Sequence, residues 1–277
     1  MSKNKSDAIF GAIFGDICGS IYEWDNLKNL EDIKISLWEN KQRFTDDTVL
    51  TCAVADWLAE SKGATAENQR EILEKTLNEY GHAFPKAGYG HIFREWLAKD
   101  KKEPMNSFGN GSGMRVSACG CIAKSYSEAK ELAKLSAEVT HNHPDGIKGA
   151  QAIACGIYLA KRGVEKKDIK IILEDDFGYN FDIDFQAVHD SHKFDATCPV
   201  TVPQAIAAFL EGDNLEDIFT KAVWLGGDSD TIADMACALG AAYYGISDKL
   251  KCEIMDSLHY RLQNTILNFE DYINGTK

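Results

Sequence analysis

The sequence is poor in proline and contains no long apolar segment. Only five prolines occur among 277 residues, and each falls in or beside a segment that we predict to be a loop or a helix start. No apolar stretch approaches the roughly 18 uncharged residues of a membrane span. The short apolar run at residues 10–14 stops at Asp16, which is unlike a signal peptide. We therefore expect a cytoplasmic protein without a membrane-spanning helix.

Basic residues are outnumbered, and closely paired cysteines of the CxxC type are absent. The chain has 30 lysines and arginines against 43 aspartates and glutamates, a formal net charge of −13. This charge repels phosphate backbones, so we do not expect nucleic acid as a partner, whereas a small molecule or a basic protein is compatible. The eight cysteines lie mostly in apolar segments, where reduced thiols act as small hydrophobes. Cys119-x-Cys121 and His141-x-His143 are spaced too closely to predict a structural zinc site.

Helical periodicity is the main structural signal that the sequence contains. Residues 66–80 and 127–140 place apolar side chains on one side at a 3.6-residue repeat. Residues 169–173 fit either a short strand or a helix, and residues 185–198 are expected to be irregular. Further helices are predicted at 147–161, 202–211, 214–224, 231–244 and 248–273. Since no repeat of about 20–50 residues and no linker is present, we predict an all-α fold in one domain that spans residues 1–277.

Two acidic segments directly precede apolar helical stretches. They are Thr45-Asp46-Asp47-Thr48 and Gly226-Gly227-Asp228-Ser229-Asp230-Thr231. Helix capping explains either segment alone, because Thr and Asp accept bonds from free N–H groups and acids suit the positive end of the helix dipole. One cap needs one acceptor, however, and each segment supplies two acids and a threonine. If the segments meet, four carboxylates need neutralising, and their hard oxygen donors suit Mg²⁺ or Mn²⁺.

A glycine-rich segment lies between the acidic segments in the sequence. Residues 107–113 read Ser-Phe-Gly-Asn-Gly-Ser-Gly, and such spacing exposes backbone N–H groups that can bind phosphate oxygens. The Gly-Lys-Ser/Thr of a Walker loop and the G-x-G-x-x-G spacing are both missing. An ordinary turn before a helix at 114–125 explains the glycines equally well. Arg115 fits a phosphate contact or a salt bridge with an acid, and we expect a structural role for it.

Taken together, these motifs resemble the ADP-ribosylglycohydrolase family, which includes the dinitrogenase-reductase-activating glycohydrolases. The resemblance covers nearly the whole chain and keeps the family's order of motifs. Besides the two acidic segments and the glycine-rich loop, it rests on Gly11-Ala-Ile-Phe-Gly-Asp16-Ile-Cys-Gly19 followed by Glu23, and on Thr140-His141-Asn142-His143-Pro144. It implies an orthogonal bundle of helices in one domain, which agrees with the periodicity.

The resemblance also implies a set of site residues. Glu23 matches a glutamate on a mobile loop that gates the site or transfers a proton, and the implied catalytic residues are Glu23, Asp47 and Asp230. Apart from the resemblance, Asp16 lies in a small-residue helix where an acid needs a partner, and we expect it to support the metal ligands from behind. Two Mg²⁺ or Mn²⁺ ions would be ligated by Thr45, Asp46, Asp47, Asp228, Asp230 and Thr231. The ADP-ribose diphosphate would bind at Ser107, Phe108, Gly109, Asn110, Gly111 and Ser112, with His141 beside it.

The function implied is metal-dependent hydrolysis that releases ADP-ribose from a modified protein or small molecule. We favour an arginine-linked protein, because an acidic surface tolerates a guanidinium leaving group. Serine-linked and small-molecule ADP-ribose are the alternatives. Two other functions stay open: a catalytically silent ADP-ribose-binding protein, and a phosphoesterase that uses the same pair of metal ions.

Overall fold

The computed structural model describes residues 5–23, 27, 29–37, 42–191 and 193–275. Within these ranges the chain forms fourteen α-helices, and the β-type pairing there is limited to one bridge between Gly109 and Thr197. The all-α prediction is confirmed. The helices are α1 (Asp7–Gly19), α2 (Asp46–Glu60), α3 (Ala66–Ala83), α4 (His91–Ala98), α5 (Ser117–Ile122), α6 (Tyr126–Glu138), α7 (Pro144–Lys161), α8 (Lys166–Phe177), α9 (Phe185–Asp190), α10 (Cys198–Glu211), α11 (Leu215–Trp224), α12 (Ser229–Tyr244), α13 (Asp248–Ser257) and α14 (Tyr260–Asn274).

Local capping chemistry sets several of the predicted helix starts. The side chains of Thr65, Ser125 and Asn214 accept bonds from backbone N–H groups at the starts of α3, α6 and α11, as expected of N-cap residues. Helix α10 begins four residues earlier than predicted because Pro199 fits its first turn. The ambiguous residues 169–173 lie inside α8. The helical periodicity is therefore confirmed for these segments.

Three local predictions need correction. The single helix predicted at 248–273 is wrong, because Leu258 leaves the helical region with ψ of 151° and His259 caps α14 by accepting from the N–H of Arg261. The irregular segment predicted at 185–198 begins with α9, which Asp184 caps. The helix predicted at 114–125 is instead a 3₁₀ turn, Met114–Val116, followed by the short α5.

Helices α1 and α12 form the centre of the core. Every residue of α1 is buried, and so is every residue of α12 from Ser229 to Ala242. The two helices approach so closely that a Cβ added to Gly19 would lie 2.7 Å from the Cα of Asp230. This packing brings the end of α1 against the start of α12. Seven of the eight cysteines are buried thiols, and no helix of the described residues is long and apolar enough to cross a bilayer.

Candidate active site at the paired helix starts

The first acidic segment forms the start of α2. Thr45 is the N-cap residue, and its hydroxyl oxygen accepts a hydrogen bond from the backbone N–H of Asp47 at 3.3 Å. Capping therefore accounts for Thr45. It leaves the two carboxylates unexplained, and that of Asp47 is only 2% exposed, where an acid needs a specific partner.

The second acidic segment forms the start of α12 after a glycine turn. Gly226 and Gly227 have φ angles of 75° and 71°, in the left-handed region that favours glycine. Asp228 is the N-cap residue, yet its side chain makes no capping bond. Its Oδ2 instead accepts from the side-chain amide of Asn110 at 2.7 Å. Capping therefore does not explain Asp228.

The two acidic segments lie face to face. The hydroxyl of Thr231 is 3.1 Å from Oδ2 of Asp47 and 3.3 Å from Oδ1, across 184 positions of sequence. Carboxylate oxygens of Asp16, Asp47 and Asp230 all lie within 4.8 Å of one another. The structure thus brings together the two acidic segments, as the metal centre implied by the family resemblance requires.

Glu23 lies at the edge of this acidic cluster. One of its carboxylate oxygens lies within 4.8 Å of oxygens of Asp228 and Asp230. Glu23 is half-buried, whereas both aspartates are buried. Its position, between the buried acids and the surface, suits a group that exchanges protons with solvent.

Asp16 holds the start of α2 in place. Its carboxylate accepts from the backbone N–H and hydroxyl of Thr45 at 2.9 and 2.7 Å, and from the same two groups of Thr48 at 3.1 and 2.5 Å. Four donors on one buried carboxylate form a strong connection between α1 and α2. Asp16 thus fixes the start of α2 beside the acidic cluster.

Burial and mutual repulsion raise the pKa values of the acids in this cluster. Burial, followed by the charge of Asp16, raises the pKa of Asp46 to about 8. Burial also raises the pKa values of Asp47 and Asp230 well above the usual range, with further increases from Asp16 and Asp228 respectively. Such a cluster needs protons or cations to be stable near neutral pH. Because its donors are all oxygens, it fits a hard divalent cation.

The glycine-rich loop is connected to the acidic cluster through Asn110, which donates to Asp228. Two of its hydroxyls are engaged within the protein, since Ser107 accepts from the N–H of Gly109 at 3.1 Å and Ser112 donates to the carbonyl of Gly146 at 2.8 Å. The ring of Phe108 is 45% exposed. The loop therefore offers an exposed aromatic ring two residues before the amide that bonds Asp228.

His141 lies against the same loop. A Cβ added to Gly111 would be 3.3 Å from the Nε2 of His141, and one added to Gly109 would be 3.7 Å from it. The loop, His141 and the two acidic helix starts thus form one continuous region, which contains all of the site residues predicted from the sequence.

The sequence profile described as ADP-ribosylglycohydrolase matches residues 6–274 of the chain, which is nearly its whole length. The chain belongs to the ADP-ribosylglycohydrolase family. Membership makes it a glycosidic-bond hydrolase that acts on ADP-ribose conjugates.

This glycohydrolase is similar in sequence to several ADP-ribosylhydrolases. ADP-ribosylhydrolase ARH3 of Gallus gallus is 26% identical over 313 residues, covering 85% of this chain and 83% of the relative. The Homo sapiens protein of that name is 26% identical over 310 residues, covering 85% and 84%. ADP-ribosylarginine hydrolase Tri1 of Pseudomonas putida is 24% identical over 221 residues, covering 74% of this chain and 59% of Tri1.

A solved structure shares the glycohydrolase fold of this chain. The structure, described as an ADP-ribosylglycohydrolase-related protein complex, superposes with a TM-score of 0.68 at 21% identity. The match covers 97% of this chain and 98% of the other. Likeness at this identity establishes the fold, which agrees with the predicted all-α bundle.

The sequence did not reveal that Asp234 lies beside the acidic cluster, where its charge contributes to the raised pKa of Asp47. This residue lies one helical turn after Asp230 and is fully buried, and neither of its oxygens has a hydrogen-bond partner among the described residues. Burial raises its pKa well above the usual range, and the charge of Asp16 raises it further. An acid within the apolar, small-residue stretch of α12 was the only available signal.

The contact between the segment before α10 and the glycine-rich loop was also not predicted from the sequence. The N–H of Asn110 donates to the carbonyl of Ala196, and the N–H of Cys198 donates to the carbonyl of Phe108, both at 2.9 Å. These backbone bonds hold the glycine-rich loop. Asp195, in the same segment, contributes to the raised pKa of Asp228, although burial is the larger cause. No periodicity marks such a contact in the sequence.

A cavity of about 670 Å³ opens beside Asp228. It is lined by α9, the segment before α10 and the glycine turn, including Asp184, Lys193, Phe194 and Gly227. Its volume lies in the range of small-molecule sites in proteins. The glycohydrolase therefore has room for a ligand next to the acidic cluster.

Proposed function

We propose that this glycohydrolase releases free ADP-ribose with the help of two divalent cations, Mg²⁺ or Mn²⁺. The observation that carries the proposal is the contact of Thr231 with Asp47, which places one acidic helix start against the other. Four aspartates contributed by the two segments would carry four negative charges, and two divalent ions would balance them. The proposed ligands are Thr45, Asp46, Asp47, Asp228, Asp230 and Thr231.

The remaining groups have distinct proposed parts in the reaction. When bound, the cations supply positive charge that orients the sugar hydroxyls and acidifies a water. Cleavage at the anomeric carbon of the distal ribose builds oxocarbenium-like charge, which the carboxylates of Asp47 and Asp230 would stabilise. Glu23, half-buried at the edge of the cluster, would move a proton between the reacting groups and solvent.

The glycine-rich loop is proposed to hold the rest of ADP-ribose. The region formed by residues 107–112 and His141 is connected to the cluster through the bond from Asn110 to Asp228, so a diphosphate bound there would place its ribose near the acids. The exposed ring of Phe108 is available for stacking on adenine. Backbone N–H groups of such loops suit phosphate oxygens.

Arginine-linked ADP-ribose on a protein is the acceptor linkage that we favour. The net charge of −13 attracts basic partners. The name of Tri1, an ADP-ribosylarginine hydrolase, agrees with this choice. Serine-linked protein and small-molecule ADP-ribose are the alternatives, and an assay on all three linkages decides among them.

The test measures ADP-ribose release from each linkage with Mg²⁺, Mn²⁺ or EDTA. We expect Asp46→Ala and Asp230→Ala to lower turnover by about 100-fold or more, since they remove metal ligands, while circular dichroism keeps its helical signal. Asp175→Ala is the matched control, because Asp175 is exposed on α8, and it should retain full activity.

Three outcomes would contradict the proposal. Wild-type-like turnover by either site variant in EDTA would exclude the metal-dependent reaction. AMP and ribose phosphate as products would indicate a phosphoesterase. Calorimetric binding of ADP-ribose by the wild type without any turnover on the panel would indicate a silent binding protein.

A further inference from the structure

Arg115 is a buried cation directly behind the glycine-rich loop. It is 0% exposed, and its Nη2 donates to the carbonyl of Ser136 at 2.5 Å and to the hydroxyl of Thr140 at 2.8 Å. Its Nε and Nη1 have no hydrogen-bond partner within the described chain. Within the described residues Arg115 forms no salt bridge, and its full burial leaves no open path to a phosphate. It does contact the hydroxyl of Thr140, which in turn contacts His141.

The contacts of Thr140 leave one hydrogen-bond direction in which every buried proton has a partner. Its Oγ1 lies 2.6 Å from the Nδ1 of His141. A guanidinium has donors only, so the hydroxyl oxygen accepts from Arg115. The hydroxyl has one proton and two acceptor sites. If Nδ1–H also donated to the oxygen, the buried hydroxyl proton would have no partner in the described part of the protein, where its contacts are Arg115 and His141 alone. The proton therefore points at Nδ1, which accepts it.

An imidazole whose Nδ1 accepts is neutral and carries its own proton on Nε2. Burial lowers the pKa of His141 well below the usual value, and the positive charge of Arg115 lowers it further, which agrees with a neutral ring. Nε2 faces the loop, within 3.3 Å of the position that a Cβ on Gly111 would occupy. The ring thus directs a donor, and not an acceptor, toward the loop.

We propose that Arg115 and Thr140 are positioning residues that hold His141 as the Nε2–H tautomer, so that its ring donates a hydrogen bond to an anionic ligand oxygen at residues 109–111. The identity of that ligand as the diphosphate of ADP-ribose rests on the proposed function. The tautomer itself does not. A neutral donor fits a phosphate oxygen, whereas the opposite tautomer would present a lone pair to it.

Long-range proton–nitrogen NMR of the intact protein tests the tautomer directly. The His141 signals are assigned by their disappearance in His141→Gln. We expect a protonated Nε2 and an unprotonated Nδ1 in the wild type. In Thr140→Val, which keeps the side-chain volume but loses the hydroxyl, signals of the Nδ1–H tautomer should appear. A protonated Nδ1 in the wild type, or an unchanged spectrum in Thr140→Val, would overturn the proposal.

Calorimetry with ADP-ribose and Mg²⁺ tests the consequence for binding. We expect Thr140→Val to weaken binding about tenfold, the size of one neutral hydrogen bond, and Thr140→Ser, which restores the hydroxyl, to stay within about threefold of wild type. His141→Gln keeps an amide donor near Nε2 and should bind better than His141→Leu. If Thr140→Val fails to fold, the comparison of His141→Gln with His141→Leu tests the proposal instead.

The two proposals fail in distinguishable ways. If the wild type binds no ADP-ribose, the proposed function and the ligand assignment fail together, while the NMR result still decides the tautomer. If the wild type binds ADP-ribose and both Thr140→Val and His141→Leu bind it equally well, the role of His141 as donor is wrong and the proposed function stands.

Discussion

Removing divalent ions should make the stability of this protein fall as the pH rises. Burial and the charge of Asp16 raise the pKa of Asp46 from 3.8 to about 8 in the folded chain. The metal-free folded state therefore holds a proton that the unfolded state has released between about pH 4 and pH 8. The stabilisation is complete below the unfolded pKa and is lost as the pH rises through the folded pKa. The direction is opposite to that of a salt-bridged acid.

The size of the effect follows from one retained proton. Each such proton lowers the free energy of unfolding by about 1.4 kcal/mol per pH unit. From about pH 6 to about pH 7.5, Asp46 alone would thus lower it by about 2 kcal/mol, or roughly 4–8 °C in Tm for a domain of this size. At the proposed cation site, saturating Mg²⁺ would replace the protons with fixed positive charge, so the dependence on pH should largely disappear.

The assay is urea unfolding followed by circular dichroism, in EDTA and in Mg²⁺, at both pH values. In EDTA, Asp46→Asn should reduce the slope by about 1.4 kcal/mol per pH unit relative to wild type. Asp175→Asn makes the same charge change at an exposed position on α8 and should leave the slope as it is. A stability that rises with pH in EDTA, or an equal fall in EDTA and Mg²⁺, would refute the reasoning.

Two further predictions concern the contacts that position the acidic cluster. Gly19→Ala should lower the free energy of unfolding by about 1–3 kcal/mol and weaken Mg²⁺ binding, because its Cβ would lie 2.7 Å from the backbone of Asp230. Gly90→Ala is the control, because its Cβ meets nothing within 4 Å, and it should lower the free energy of unfolding by less than about 1 kcal/mol. If urea titrations give the same loss of stability for both variants, this account is wrong. Asn110→Ala removes the 2.7 Å bond to Asp228 and should lower kcat/KM for ADP-ribose release about 10- to 100-fold. An unchanged kcat/KM would show that the loop and the cluster act independently.

Much of the secondary structure was determined by the sequence alone, because helix periodicity and capping depend on near neighbours. Thr65, Ser125 and Asn214 act at the helix starts through groups only three residues away. The same reasoning failed at Leu258, where an apolar pattern continued through a helix break. Periodicity shows which face of a helix is buried. Two consecutive helices that bury the same face therefore show one continuous pattern, and the break between them is not visible.

The candidate site shows the same difference between what local sequence and what tertiary packing determine. The sequence by itself determined that two helix starts would each carry two acids and a threonine, and that a glycine-rich loop lay between them. Only the tertiary structure decided that Thr231 meets Asp47 across 184 residues, that Asp234 joins the cluster, and that Arg115 reaches His141 through Thr140. Those contacts depend on how α2, α6 and α12 pack within the core, and no local rule fixes how distant helices pack.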